Sequence, residues 1–147
     1  MLEMLKARKE QLEAQGEKGF TLMEMLIVIA IIAVLVAIAI PVLSAQLENA
    51  RDATTAANLR SAYAEASAAV LDSTIATGND NITVAAGTGD VATVVTIKDV
   101  HIESSDADYG SYDDDLPFTF SGTLASEGDH DVTFSFNKNG TVTAAFA

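Results

Sequence analysis

Few side chains in this sequence are of types that do chemistry, and the most isolated of them is Glu24. It stands at the head of a run, residues 25–43, that is nineteen residues long and carries no charge. A carboxylate at the mouth of an apolar helix is costly unless it meets a cation or reaches water. The second concentration is five aspartates, Asp106, Asp108, Asp113, Asp114 and Asp115, between Ser104 and Leu116. Hard cations such as Ca2+ take about six to eight oxygen ligands, so this string is a candidate Ca2+ site. Its spacing departs from the EF-hand register, and a solvated acidic loop is the competing reading. Tyr109 and Tyr112 lie in the same stretch and offer a contact surface. His101 and His130 stand apart, with no metal-ligand spacing, and read as surface or strand residues. There is no cysteine, and no serine sits in a Gly-x-Ser-x-Gly elbow. The sequence therefore reads as that of a non-enzyme with no cofactor, Ca2+ excepted as a candidate.

The run 25–43 sets the first element. As a helix rising about 1.5 Å per residue it comes close to spanning a hydrocarbon core. Four basic residues precede it (Lys6, Arg8, Lys9 and Lys18), while Arg51 and Arg60 follow at a distance. That bias keeps the N-terminus cytoplasmic. Four acidic residues balance the basic ones in 1–19, so the whole net charge of −13 falls after Gly19. So acidic a surface repels phosphate backbones, and direct nucleic-acid binding is not expected. An ordinary secretory signal is the alternative for the N-terminus. Its apolar core is usually about seven to fifteen residues long, followed by a small-residue cleavage site. Here the run is longer, and Leu43-Ser44-Ala45 makes a poor site.

Lys18-Gly19-Phe20-Thr21-Leu22-Met23-Glu24, leading straight into the apolar run, resembles the N-terminus of type IV prepilins and their relatives. The resemblance covers roughly residues 18–60. It implies that a membrane-embedded prepilin peptidase cuts between Gly19 and Phe20 and methylates the new terminus at Phe20, leaving residues 20–147. It also implies an assembly salt bridge, in which Glu24 of one subunit meets the terminal amine of Phe20 in another. The electrostatics are coherent with that scheme. The cation does not exist until the leader is removed, and methylation preserves its charge. The simpler alternative is that Glu24 only marks the membrane interface and reaches back to water.

Beyond the run, residues 44–76 contain neither glycine nor proline and are rich in alanine, so the helix continues. Leu59, Ala62, Tyr63, Ala66 and Val70 recur at three- and four-residue steps and share one face. Carried backward, that face meets Glu48, Arg51 and Asp52, which makes the stretch before residue 55 a spacer. The stop signal is Thr77-Gly78-Asn79-Asp80. A helix from 21 to 76 would run on the order of 80 Å. Pro41 lies inside it, removes one amide donor and crowds the carbonyl of Ala37, which predicts a kink or an unwound turn.

After Gly78 the pattern alternates. Strands are expected at 82–84, at 91–97 with continuation through Val100 and Ile102, and at 118–120, 132–136 and 141–146. Asn139-Gly140 signals a two-residue hairpin turn. Phe118, Phe120, Phe134, Phe136 and Phe146 fall on one face and read as core. Asn81-Ile82-Thr83 and Asn139-Gly140-Thr141 match the N-glycosylation pattern, which is weak in threonine-rich sequence.

The expected fold class is α+β: a long N-terminal helix, membrane-spanning in its first half, packed against a small C-terminal antiparallel sheet in the pilin manner. The expected organisation is a leader at 1–19, a transmembrane and assembly helix at 20–43, an extracellular half-helix at 44–77 and a sheet head at 78–147. By resemblance the function is a structural subunit, a major pilin, of a type IV pilus. Its partners would be identical subunits, the prepilin peptidase, and the assembly platform and motor. The precursor would sit in the cytoplasmic membrane before entering a surface filament. The alternatives are a minor pilin, a pseudopilin of a type II secretion system, and a single-pass anchor displaying a ligand- or Ca2+-binding domain.

Overall fold

The computed structural model describes residues 1–14, 21–105 and 115–147. Among these residues three helices precede the sheet: α1 (Leu2–Ala14), α2 (Leu22–Leu71) and α3 (Thr74–Thr77). Five strands follow: β1 (Ile82–Ala86), β2 (Val91–Ile102), β3 (Thr119–Phe120), β4 (Gly128–Asn137) and β5 (Val142–Phe146). The chain divides into two compact units, residues 1–42 and 43–147, and α2 contributes to both.

In the first unit α2 is the one helix, among the described residues, long and apolar enough to cross a membrane. None of its apolar window is buried within the chain. The helix runs without interruption through Pro41, so no turn unwinds there. The proline ring still withholds the amide that the Ala37 carbonyl would otherwise accept.

In the second unit α2 buries Asp52, Thr55, Ala56, Leu59, Ala62, Ala66 and Ala69, a stripe at three- and four-residue steps. Leu59, Ala62, Ala66 and Ala69 enter one core with Ile82, Val95, Ile97, Val100, Ile102, Phe118, Val132, Phe134 and Ala144. The alanines keep the helix close to the sheet, while Leu59 and Phe134 fill the space between, both fully buried. Burial of a side chain of that size is worth about 1.5–3 kcal/mol. Tyr63 joins from the same helix, its ring centroid 5.5 Å from Phe118 and 5.9 Å from Phe134. Val70, expected on the stripe, is exposed, and Ala69 takes the buried place.

The helix ends before the expected residue 76. Asp72 Oδ1 accepts hydrogen bonds from the Thr74 amide (2.9 Å) and hydroxyl (2.6 Å). This local bond offers the backbone an alternative to another helical turn. The chain re-enters a helix only for the four residues of α3.

The strand order is β1-β2-β4-β5-β3. The pairs β1–β2, β2–β4 and β4–β5 are antiparallel, as expected. β3 instead runs parallel to β5, Thr119 opposite Thr143 and Phe120 opposite Ala144. The sheet is therefore mixed, a correction to the all-antiparallel expectation. β4 already has β2 and β5 as neighbours, so β3 cannot fold back on it as a hairpin and takes the open edge of β5. Within β2 the burial alternation shifts by one residue, with Val95 and Ile97 inward and then Val100 and Ile102. A register irregularity between Ile97 and Val100 absorbs the extra residue, and Asp99 adopts φ 57° there. Such a bulge re-aims the strand while keeping its apolar side on the core.

The β4–β5 hairpin also differs from expectation. Asn137 donates to the Thr141 carbonyl (2.9 Å), and Gly140 donates to the Asn137 carbonyl (3.0 Å). The loop is thus Lys138-Asn139-Gly140, with Gly140 at φ 87°. This is a three-residue turn closed by a left-handed glycine. A long helix followed by a small five-stranded mixed sheet is an α+β layout consistent with a pilin-like fold.

Candidate functional site

The start of α2 answers how Glu24 is held. The Thr21 amide donates to Glu24 Oε2 at 2.8 Å, and the Thr21 hydroxyl donates to the same oxygen at 2.9 Å. In return, the Glu24 amide donates to Thr21 Oγ1 at 3.2 Å. This is a reciprocal capping box, in which two orphan amides of the first helical turn are satisfied by two side chains. The negative carboxylate also lies where the helix dipole is positive. Glu24 therefore has local partners within its own chain, supplied by one residue, Thr21. Sequence reasoning passed over Thr21, although Thr-x-x-Glu before an apolar run is a capping signature.

A second polar constellation lies in the other unit, on the face of α2 that sequence reasoning read as a spacer. Thr55 Oγ1 accepts from the amides of Glu103 and Ser104, both at 3.0 Å. Asp52 Oδ1 accepts from the Ser104 hydroxyl at 2.8 Å. Glu48 Oε1 accepts from the Ser105 amide at 2.8 Å. That amide, with smaller help from nearby Arg51, holds the Glu48 carboxyl below its usual range. Ser104 and Thr55 are wholly buried and Asp52 nearly so. Positions 48, 52 and 55 continue the spacing of the apolar stripe, with oxygen acceptors in place of methyl groups. They grip the backbone as it leaves β2. Arg60 Nη2 donates to the Asp115 carbonyl at 3.3 Å. So α2 also holds the point where the chain re-enters the described structure after the aspartate string.

The third cluster surrounds His101. Its Nδ1 lies 2.6 Å from Asp129 Oδ1, its cross-strand neighbour on β4. Its Nε2 lies 3.3 Å from Glu103 Oε1. The bond to Asp129 raises the affinity of His101 for a proton above the ordinary value, with Glu103 and Glu127 adding to the field. The His101 carbonyl accepts from Asn58 Nδ2 of α2 at 2.8 Å. His130, the other histidine, places Nε2 2.9 Å from the Ser126 carbonyl and its ring centroid 5.8 Å from that of Phe146.

Gly19 and Phe20, the expected cleavage and methylation positions, lie outside the described residues. So do Asp106, Asp108, Asp113 and Asp114 of the candidate Ca2+ string, and Tyr109 and Tyr112. Asp115 is the one member of the string that is described. No group of three or more histidine or acidic side chains suited to a metal ion occurs among the described residues. Of the expected aromatic face, Phe118 and Phe134 are buried, while Phe120, Phe136 and Phe146 pack against the core from its margin.

Residues 15–40 match the family described as the prokaryotic N-terminal methylation motif. This is the class III signal-peptide motif of type IV pilins. The match joins the described start of α2, Thr21 and Glu24 included, to the expected cleavage point. No curated protein and no solved structure matches the chain.

Proposed function

We propose that the chain, which carries this prepilin-type signal, is a structural subunit of a type IV pilus-like filament and has no catalytic role. The observation that carries the reading is the motif at 15–40 running directly into a helix whose apolar window is unburied by its own chain. Such a surface needs lipid before assembly and neighbouring helices after it. Prepilin peptidase removes residues 1–19 and methylates Phe20, and the N-terminus faces the cytoplasm up to that point. The new amine then offers Glu24 a cation, where among the described residues its hydrogen-bond partner is Thr21. Glu24 exchanges its hydrogen bonds with Thr21 for a neighbour's terminal amine, which fixes the register of the incoming subunit. The compact, cysteine-free head favours the major subunit over a minor pilin or pseudopilin.

Mass spectrometry of sheared surface filaments tests the proposal. The expected N-terminus is methylated Phe20, in a fraction dominated by this chain. An unprocessed chain confined to membranes would overturn the subunit reading and support a single-pass anchor. Glu24→Ala is expected to leave leader removal intact and to abolish filaments. Normal filaments from that variant would remove the pairing role from Glu24.

A further inference from the structure

We propose that α1 lies along the cytoplasmic surface of the membrane while the leader is attached, with anionic phospholipid as its partner. The inference rests on the membrane placement of the precursor and names what its leader touches. Each of residues 1–11 is exposed, Met1, Leu2, Met4 and Leu5 among them, so no other part of the described chain covers these apolar side chains. Single exposed apolar residues need no explanation, but the places these take around the helix do. Successive residues turn by about 100°. The Leu5 amide donates to the Met1 carbonyl at 3.3 Å, which sets Met1 one turn before Leu5. Leu2, Arg8 and Lys9 join Met1 within about 60° of Leu5. Glu3 and Glu10 fall on the far side, about 140–160° away.

Residues 1–19 carry as many acidic as basic side chains, so the charge total favours no partner, whereas the arrangement does. On the side centred at Leu5, apolar side chains are followed one turn later by Arg8 and Lys9, and the acids stand behind. A helix in the headgroup layer buries its apolar side chains at the acyl boundary. The long stems of Arg and Lys run along the same surface and keep their charged ends among the phosphates. The tether then selects a bilayer over a soluble partner. Residues 15–20 alone separate α1 from Thr21, the next described residue. Even fully extended, they hold Ala14 within about 25 Å of Thr21, which stands four residues before the charge-free run 25–43. Lipid is therefore always within reach, and a tethered contact of modest strength stays populated. Anionic lipid of the cytoplasmic leaflet attracts basic segments beside a membrane helix. The number of basic residues orients the span, and their placement around α1 decides which of its sides meets lipid. Cleavage after Gly19 then removes a second membrane attachment together with the leader.

The chain has no cysteine, so a nitroxide label can be placed at one chosen position. Full-length precursor, leader intact, is reconstituted in vesicles containing phosphatidylglycerol and labelled through Leu5→Cys, Glu10→Cys or Ile31→Cys, one variant per sample. Collision with oxygen, which concentrates in lipid, is compared with collision with a water-soluble nickel chelate. The labels at positions 5 and 31 are expected to favour oxygen, and the label at position 10 the chelate. If positions 5 and 10 both favoured the chelate, the inference would be overturned. A position 5 shielded from both reagents would signal a protein partner and overturn it as well. In either case oxygen contact at position 31 leaves the membrane reading standing, whereas chelate contact there overturns that reading itself. Adding Lys6→Gln/Arg8→Gln/Lys9→Gln, or replacing phosphatidylglycerol with phosphatidylcholine, is expected to shift position 5 towards the chelate and to leave position 31 unchanged. Indifference of position 5 to both changes would remove anionic lipid as the partner and overturn the inference.

Discussion

Thr55 accepts two consecutive backbone amides, those of Glu103 and Ser104, from a wholly buried position. Removing its hydroxyl leaves both donors unpaired, that of Ser104 in a wholly buried residue and that of Glu103 in a half-buried one. Thr55→Ala is therefore expected to cost about 1–3 kcal/mol, read as a lower denaturant midpoint with an unchanged slope, and Thr55→Ser is expected to recover most of it. His101 gives the pH dependence at the same scale. Its folded affinity for a proton is raised above the ordinary value near 6.5, chiefly by Asp129. Its contribution is thus complete below about pH 6.5 and is lost as the pH rises through the higher folded value. Glu48 acts in the opposite sense. Its folded value is lowered from 4.5, so its contribution is present above that pH and fades as the pH falls through the folded value. A melting profile against pH is expected to decline as the pH rises above about 6.5 and through the higher folded value of His101, and His101→Gln is expected to flatten that decline. Neither cluster was legible in the sequence. His101, Glu103 and Asp129 meet only because β2 and β4 pair, and cross-strand register is a tertiary fact. The partners of Thr55 lie 48 and 49 residues away.

Strand positions were largely legible because alternation is a local signal. The strands near 82, 91, 132 and 142 stand close to where apolar residues recur at every second place. Even the bulge was written as a phase change, since Ile97 and Val100 cannot share a face in a regular strand. What local pattern could not give was direction and ending. β3 takes its parallel sense from which edge remained open, and α2 stops where the Asp72 side chain competes for the Thr74 amide. The turn at Asn139-Gly140 was legible as a turn but not in length, because the pairing of Asn137 with Thr141 sets the loop. Two glycines test the connections. At Gly140, φ is 87° and a Cβ would meet nothing within 4 Å, so the penalty of Gly140→Ala is backbone strain alone, about 1–2 kcal/mol. At Gly87 a Cβ would fall 2.3 Å from the Val91 carbonyl oxygen, and that backbone atom cannot yield without opening the β1–β2 turn. Gly87→Ala is expected to lower the melting temperature more than Gly140→Ala. Equal losses would place the strain elsewhere.

Across the whole chain, apolar surface and charge are segregated along the sequence: the −13 lies entirely after residue 19 and the charge-free run occupies 25–43. That segregation was legible from residue order alone, and under the proposed function the motif at 15–40 gives it a direction in time, since an anchor can become an assembly surface only if the same residues suit lipid and protein in turn. Ile31 tests this within the run, three residues before its midpoint, where it is about half exposed on the isolated chain. A lysine at the centre of a membrane helix costs about 2.5–3.5 kcal/mol on insertion scales, so Ile31→Lys is expected to move much of the chain from the carbonate-resistant membrane pellet into the soluble fraction. Ile31→Leu keeps the apolar character and is expected to change neither pellet nor filament yield. If Ile31→Lys pelleted and assembled as the parent does, the run would be meeting neither lipid nor packed neighbours at that position. The unburied face of α2 would then need an aqueous explanation, which a charge-free run of nineteen residues does not supply.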